Sequence, residues 1–335
     1  MTTTKINNRR YLGNKYRLLP FITNVISSEC GNFETFADIF AGTGAVSSAF
    51  TDKILYTNDI LYSNYLCHLT WFSDEIFDIN KLEKYIDFYN SDLPFEENYM
   101  TDNFSDTYFS RKNCSKIGFI RENIENEYNN GNLNNREKAM LITSLLYGID
   151  KIANTCGHYD AYRKGVSFPE SFTMCIPQPS ENLKHNHCYN EDTNELVKKI
   201  FADVIYIDPP YNSRQYCDAY HLIENIACWK KPKVFGVAKK MDRTTLKSQY
   251  CTRSAPVAFQ DLISNINAKY IVVSYNNMAN KGNDRSNARI SDSQILEVLK
   301  AKGNVKIYSE AFKAFTTGKS KHLDNEERLF LCKCF

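Results

Sequence analysis

The sequence lacks the features that mark membrane proteins and disulfide-stabilised secreted proteins. No apolar run approaches the roughly 20 residues that a membrane-spanning helix needs. Residues 1–10 are polar and basic, without the apolar core of a signal peptide. The 11 cysteines are scattered and odd in number, which argues against a framework of disulfides. We therefore expect a protein of the reducing cytoplasm that does not enter a membrane.

Metal-ligand pairs and a strong net charge are also missing. His185, His187 and Cys188 lie close together, but no second pair at ligand spacing accompanies them, so we predict no catalytic metal. The net charge is only +2 in 335 residues, so the chain is not a polycation as a whole. With 43% apolar and 24% charged residues, the composition is typical of a globular protein with a substantial core.

The most informative segment is an apolar run, residues 203–207, that leads into Asp208-Pro209-Pro210-Tyr211. Its β-branched and aromatic residues predict a buried strand. Proline cannot continue a sheet ladder, so the chain leaves the strand in an extended loop. This places Asp208 and Tyr211 at the carboxyl edge of a sheet, where open α/β folds bind ligands. Because the carboxylate and the prolyl carbonyls only accept hydrogen bonds, the cluster suits an amino-bearing, stackable nucleobase.

A second predicted strand also ends at a special loop. It runs into Phe40, Gly42 and Gly44, followed by small residues that could begin a helix. Glycine lets the backbone approach a ligand closely, although a glycine pair alone is more often an ordinary strand-to-helix turn. The next predicted strand, residues 53–58, ends at Asp59, where an acid can accept hydrogen bonds from ribose hydroxyls. The loop and the acid together indicate an adenosine-containing cofactor, although Asp59 could also be a plain helix N-cap.

Strand and helix patterns alternate along most of the chain, which predicts an α/β fold with a parallel, doubly wound sheet. Residues 80–185 interrupt the alternation with long amphipathic helices and few strand signals. We therefore predict a catalytic domain, residues 1–79 and 186–335, with a helical insertion at 80–185. Further strands are expected at residues 187–191, 270–275, 305–309 and 329–333. Helices are expected at residues 15–28, 62–71, 79–89, 113–128, 136–155, 193–200, 219–229, 257–267 and 291–300.

Positive charge is concentrated in three clusters. Each cluster alone is equally consistent with a solvated surface, but beside a base-binding pocket they favour contacts with phosphates. The first cluster contains Arg9, Arg10, Lys15 and Arg17, and the third contains Lys313, Lys319 and Lys321. The second has eight basic residues against one acid, Asp242: Lys230, Lys231, Lys233, Lys239, Lys240, Arg243, Lys247 and Arg253. The predicted DNA contacts are Arg214, Lys239, Lys240, Arg243, Lys247 and Arg253.

In the order of these segments, the sequence resembles the Dam-like class of S-adenosylmethionine-dependent, adenine-specific DNA methyltransferases. Residues 11–20 are similar to the N-terminal element of that class, residues 40–44 to its cofactor loop, and residues 208–211 to its DPPY catalytic loop. The resemblance implies a Rossmann-like, seven-stranded methyltransferase sheet, mostly parallel with one antiparallel strand, and the insertion as the target-recognition region. The implied cofactor-binding residues are Tyr11, Gly13, Lys15, Phe40, Gly42, Gly44, Asp59, Ile60, Asp192 and Asp208.

The resemblance implies transfer of a methyl group from S-adenosylmethionine to the N6 amine of a flipped-out adenine in double-stranded DNA. Asp208 and the Pro209 carbonyl would accept the amine hydrogens, Pro210 would shape the loop and Tyr211 would stack on the base. The enzyme would serve a restriction-modification system, with a separately encoded endonuclease as an optional partner, or act as an orphan regulator. The alternatives are an adenine methyltransferase of RNA or single strands, a cytosine-N4 methyltransferase, and a non-catalytic nucleic-acid-binding protein. Serine at position 208 would favour cytosine, and the intact acid and ring argue against loss of catalysis.

Overall fold

The computed structural model describes residues 3–9, 11–179, 184–276, 288–311 and 326–335. The strands are β1 (Thr3–Thr4), β2 (Thr35–Asp38), β3 (Ile54–Asn58), β4 (Ile176–Pro177), β5 (His187–Tyr189), β6 (Phe201–Ile207), β7 (Asn267–Asn276), β8 (Gly303–Ala311) and β9 (Glu326–Cys334). The helices are α1 (Leu19–Cys30), α2 (Tyr62–Phe72), α3 (Ile79–Asn90), α4 (Tyr99–Phe104), α5 (Arg111–Asn129), α6 (Asn135–Asp150), α7 (Thr193–Leu196), α8 (Tyr216–Ala219), α9 (His221–Cys228), α10 (Ala255–Asn265) and α11 (Asp292–Lys300).

A seven-stranded sheet organises the fold, in the order β5-β3-β2-β6-β7-β9-β8. The strands from β5 to β7 pair in parallel, whereas β9 runs antiparallel to both of its neighbours. This arrangement confirms the predicted Rossmann-like sheet with one antiparallel strand. The chain extends from β2 towards β3 on one side and from β6 towards β7 on the other, so β2 and β6 form a topological switch point. Open α/β sheets bind ligands at such a point, beyond the carboxyl ends of the strands.

Most predicted elements are present, with boundaries that tertiary contacts have moved. The first long helix begins at Leu19 rather than at Lys15, because a 3-10 helix, Tyr16–Leu18, precedes it and Lys15 turns inward to an ion pair. The glycine loop is followed by only a short 3-10 helix, Ser47–Ala49, in place of the expected helix. Helix α6 ends at Asp150 rather than at residue 155 as predicted. The Asp150 carboxylate, at this end of the helix, forms an ion pair with Arg9.

The segment 80–185 contributes most of α3 and all of α4 to α6, and it shares its apolar core with α2 and α9. Helix α4 was not predicted, because its six residues are too few to show a helical period, although a capping box at Asn98 defines its start. Helix α6 packs on α2, and the buried Arg121 of α5 donates to the carbonyl of Ile226 in α9 at 2.7 Å. Residues of α2 and α9 therefore belong to the same apolar cluster as those of the segment.

Candidate active site

The carboxyl ends of β2 and β6 open into a cavity of about 570 Å³. Both predicted loops, the segment 11–15, the start of α7 and the segment 246–250 line this cavity. The sheet therefore brings together residues that lie far apart in the sequence. The predicted site residues in its lining are Tyr11, Gly13, Lys15, Phe40, Gly42, Asp59, Ile60, Asp192, Asp208 and Pro210. Gly44, Pro209 and Tyr211 are not part of the lining.

Asp208 takes part in a buried network of charges. The Nζ atom of Lys15 lies 2.9 Å from Oδ1 of Asp208 and 3.1 Å from Oε1 of Glu327, a residue of β9. Ser274 of β7 donates its hydroxyl to the same Glu327 oxygen at 2.8 Å. Burial raises the pKa of Asp208 to about 6, while Lys15 opposes the increase and Glu327 adds to it. Sequence reasoning missed Glu327, because nothing near it in the chain indicates a ligand site.

The two glycines of the loop serve different purposes. Gly42 has φ of +55°, and a Cβ atom there would lie 3.0 Å from the Tyr11 ring. Gly44 has φ of +87°, and its Cβ atom would lie 2.6 Å from the buried ring of Phe72. Gly42 thus permits a close approach at the cavity, whereas Gly44 is required by packing against α2. The neutral ring of His68, whose pKa burial lowers to about 4, donates to the Gly42 carbonyl at 2.8 Å.

Asp59 holds the glycine loop to the end of β3. Its carboxylate accepts the N–H of Gly42 at 3.0 Å and the N–H of Leu61 at 2.8 Å. Burial raises the pKa of Asp59 to about 7, and the backbone N–H groups oppose this increase. The side chain of Asn190 donates to the carbonyls of Asp59 and Ile60. Because a carboxylate has about four acceptor positions, Asp59 can still accept hydroxyl groups from the cavity.

Asp38 was not predicted as a site residue, although an acid at the end of a buried apolar strand is an informative signal. Its side chain is 1% exposed, and Oδ2 accepts the hydroxyl of Ser47 at 2.9 Å. Burial raises the pKa of Asp38 to about 7. Its Oδ1 and the hydroxyl of the neighbouring Tyr206, both on residues of the cavity lining, have no hydrogen-bond partner among the described residues.

Two tyrosines that follow residues 208–211 hold the segment 11–15 at the cavity. Tyr220 stacks on Tyr11 with ring centroids 4.6 Å apart, and its hydroxyl accepts the N–H of Leu12 at 2.7 Å. Tyr216 donates its hydroxyl to the Leu12 carbonyl at 3.2 Å. A Cβ atom at Gly13, where φ is +72°, would lie 2.7 Å from that hydroxyl. The glycine of the segment is therefore explained by the close approach of Tyr216.

The order and geometry of these segments agree with comparisons to known proteins. Residues 11–287 match the family model of the D12 class N6 adenine-specific DNA methyltransferases. The chain belongs to this family. This confirms the resemblance seen in the sequence.

Several modification methylases are relatives of this D12-class chain. Modification methylase StsI of Streptococcus sanguinis is 36% identical over 80% of the chain and 44% of its own length. Type II methyltransferase M.FokI of Planomicrobium okeanokoites is 31% identical over 96% of the chain and 51% of its own length. Type II methyltransferase M.NlaIII of Neisseria lactamica is 28% identical over 94% of the chain and 95% of its own length. The chain thus spans about half the length of the first two relatives.

Two predicted site residues of this D12-class chain have other contacts in the structure. The ring of Tyr211 packs edge-on against Tyr275, with centroids 6.3 Å apart, and its carbonyl accepts the N–H of Arg289 at 2.8 Å. Asp192 is exposed at the cavity rim and caps α7 by accepting the N–H of Asn194 at 2.9 Å. Asp192 lines the cavity and Tyr211 does not, and the roles of both residues stay predictions.

The predicted DNA-contacting residues fall into two groups. Arg214, Lys247 and Arg253 are exposed. Lys240 and Arg243 instead form ion pairs with Asp218 of α8, at 3.6 and 2.7 Å, and Lys240 also binds Asp160. The charge count of this cluster therefore overstates the charge that is available to phosphates. Lys239 is partly exposed, and Arg10, Lys313, Lys319 and Lys321 lie outside the described residues.

Within the described ranges, no group of three or more His, Cys, Asp or Glu side chains is arranged to hold a metal ion. His185 lies 3.1 Å from Asp74, and the ring of His187 stacks on Tyr56. Both histidines, His187 in β5 and His185 just before it, thus have contacts with other side chains of the protein. None of the helices in the described part of the chain has the length and apolar composition to span a membrane.

Proposed function

We propose that this chain methylates the N6 amine of adenine at specific sites in double-stranded DNA, as the modification enzyme of a restriction-modification system. The observation that carries the proposal is the carboxylate of Asp208, held by Lys15 at the switch-point cavity and followed directly by Pro209, Pro210 and Tyr211. Membership of the D12 class supports the reaction. The names of the relatives support the biological setting, and a cognate nuclease, separately encoded, is the partner that this setting implies.

The cavity suits S-adenosylmethionine as the methyl donor. When bound, this molecule supplies an electrophilic methyl group on a sulfonium, and it carries a second positive charge on its amino group. Asp38, Asp59, Asp192 and Asp208 line the cavity together with one lysine, Lys15, so its acidic groups outnumber its basic ones and favour a cation. The Oδ1 atom of Asp38, buried and without a partner among the described residues, would lose its desolvation penalty by pairing with an ammonium group.

Individual residues of the lining would then have separate tasks. Asp59 has acceptor capacity for ribose hydroxyls, and Gly42 allows its loop to approach the molecule without a side chain in the way. Asp192 lies at the rim, where its carboxylate can accept from the amino group of an adenine. Tyr11 and Gly13, clamped from behind by the two tyrosines, would close the cavity over the donor.

Asp208 and the carbonyl of Pro209 would accept the two hydrogens of the target amine. This favours a more tetrahedral nitrogen, with its lone pair aimed at the methyl group. The carboxylate also stabilises the positive charge that develops on nitrogen during transfer. With a pKa of about 6, Asp208 is mostly ionised at neutral pH, and the ion pair with Lys15 supports that state. The amine loses its proton readily only after methylation, so no strong general base is needed.

The target base has to leave the duplex, because its amine cannot meet the methyl group while the base is stacked. Tyr211 would stack on the extruded adenine, a contact worth about 1–3 kcal/mol by analogy with other base–aromatic pairs. Residues 80–185 would supply the target-recognition region. Methylation of RNA or single strands is the second candidate, since the same pocket accepts a base that is already unpaired.

Genome-wide mapping tests the proposal. The protein is expressed in a methylation-deficient host, and N6-methyladenine is located at single-base resolution. We expect modification at one recurrent motif, and a loss of at least about a hundredfold for Asp208→Ala with donor binding retained. Lys15 keeps Glu327 as a partner in that variant, so the fold should persist. Asp52→Ala, which removes an exposed acid, is the control. Absence of any modified motif, or methylation by Asp208→Ala within a few-fold of wild type, would refute the assignment.

A further inference from the structure

A tight hairpin of residues 235–240 exposes two apolar side chains. Phe235, in the pair that closes the hairpin, is 57% exposed, and Val237, in the turn, is 74% exposed. The exposed positions of such a turn are usually occupied by glycine, proline or small polar residues. Two apolar side chains within three residues therefore point to a partner that covers them.

The backbone of the 235–240 hairpin is held rigidly. Phe235 and Lys240 exchange N–H to carbonyl hydrogen bonds of 2.8 and 2.9 Å. The N–H of Lys239 closes the turn on the Gly236 carbonyl at 3.2 Å. Within the turn, the Ala238 carbonyl accepts the hydroxyl of the fully buried Tyr108 at 3.0 Å. The turn is thus anchored to the body of the protein, while the side chains of Phe235 and Val237 stay exposed.

The root of the hairpin is joined to the helix that follows residues 208–215. Lys240 and Arg243 bind Asp218 in α8, the helix that follows residues 208–215. Further along, the side chain of Gln215 forms two hydrogen bonds with the backbone of Ser248, at 2.8 and 3.0 Å. Ser248 lines the cavity. The segment that follows the hairpin is therefore tied both to α8 and to the cavity rim.

The surroundings of the hairpin are positively charged. Lys230 and Lys233 precede it and Lys239 lies within it, whereas Lys231 forms an ion pair with Glu122. The Nζ atom of Lys233 lies 5.5 Å from the centroid of the Phe235 ring. Duplex DNA matches this pattern, because it offers anionic phosphates outside and an apolar base stack inside. Proteins that bend or open DNA use Phe and other apolar side chains as wedges between base steps.

We propose that the 235–240 hairpin is a DNA wedge, in which Phe235 and Val237 enter the duplex beside the target adenine and fill the space that the extruded base leaves. The wedge rests on the proposed function, since it assumes a flipped adenine in duplex DNA. Unstacking a base costs a few kcal/mol, and the least when its pair is already mismatched. Filling the vacated space offsets this cost and slows return of the base.

The wedge is tested by its dependence on the strength of the target pair. Single-turnover methylation is measured on a duplex with the mapped motif intact and on one with a mismatch opposite the target adenine. For the double variant Phe235→Ala, Val237→Ala, we expect the single-turnover rate constant at subsaturating enzyme to fall by about tenfold or more on the intact duplex, since tenfold corresponds to about 1.4 kcal/mol. The loss should largely disappear on the mismatched duplex. With 2-aminopurine at the target position, fluorescence in the complex should fall for the variant.

Two control variants separate a wedge from a structural defect. Phe201→Ala removes a ring that is 47% exposed at the opposite end of the strand leading to Asp208, and it should change neither measurement. Phe235→Leu keeps an apolar side chain and should retain most of the activity. Equal losses on both duplexes, or no loss on either, would overturn the wedge. A wild-type protein that methylates no duplex DNA would instead overturn the proposed function itself.

Discussion

The network of Lys15, Asp208 and Glu327 makes the pH dependence of methylation a test of the catalytic site. Lys15 favours the ionised form of Asp208, and Glu327 disfavours it. Removal of the ammonium in Lys15→Met should therefore raise the pKa of Asp208 above about 6, whereas Glu327→Gln should lower it. An adjacent cation typically shifts the pKa of a carboxyl by about 1–3 units.

The size of the effect follows from the ionised fraction of Asp208. With a pKa of about 6, roughly nine in ten carboxyls are ionised at pH 7. If Lys15→Met raised the pKa to about 8, only about one in ten would be ionised, so kcat/KM at pH 7 would fall by about tenfold. Much of this loss should be recovered at pH 9. In Glu327→Gln, the acidic limb of the plot of kcat/KM against pH should move below pH 6.

The assay is kcat/KM for DNA between pH 5 and pH 9, with substrate and donor held constant. Lys269→Met is the matched control, because it removes a lysine 2.7 Å from Asp203 at the far end of the same strand. Its acidic limb should coincide with that of the wild type. If Lys15→Met and Glu327→Gln both lowered the rate without moving the acidic limb, Asp208 would not be the group that titrates, and the reasoning would be wrong.

Three further predictions concern packing, charge and burial. Gly44→Ala should lower the free energy of unfolding by about 1–3 kcal/mol more than Gly131→Ala. Both glycines have positive φ, but only a Cβ atom at position 44 would clash with a neighbouring side chain. The difference between the two variants in urea denaturation therefore measures the cost of that clash. Lys247→Gln should reduce the slope of the logarithm of the DNA-binding constant against the logarithm of the salt concentration by about 0.9. Lys240→Gln loses internal ion pairs instead, so it should lower the melting temperature and leave this slope unchanged. Because burial raises the pKa of Asp38 to about 7, its ionisation destabilises the fold as the pH rises from about 4 through 7; Asp38→Asn should stabilise the protein at pH 8 by about 1–3 kcal/mol, yet weaken donor binding in calorimetry by about tenfold or more.

The sequence by itself determined where the strands end and which loops follow them. Pro209 and Pro210 stop β6 at Ile207, and Gly42 admits a backbone that other residues adopt rarely. These are local effects, because proline and glycine act on their own backbone whatever surrounds them. For the same reason, the alternation of strands and helices predicted the α/β sheet, and the order of the loops predicted the family, both of which are confirmed.

Only the tertiary structure decided which charges meet. Lys15 and Glu327 come from opposite ends of the chain, and β7 and β9 must pair in the observed register before Glu327 can reach the lysine. Likewise, Lys240 belongs to a basic cluster in the sequence but is paired with Asp160 and Asp218 in the fold. A linear pattern records the local preference of each segment, whereas the partners of a buried charge depend on sheet order and packing, which arise only when distant segments come together.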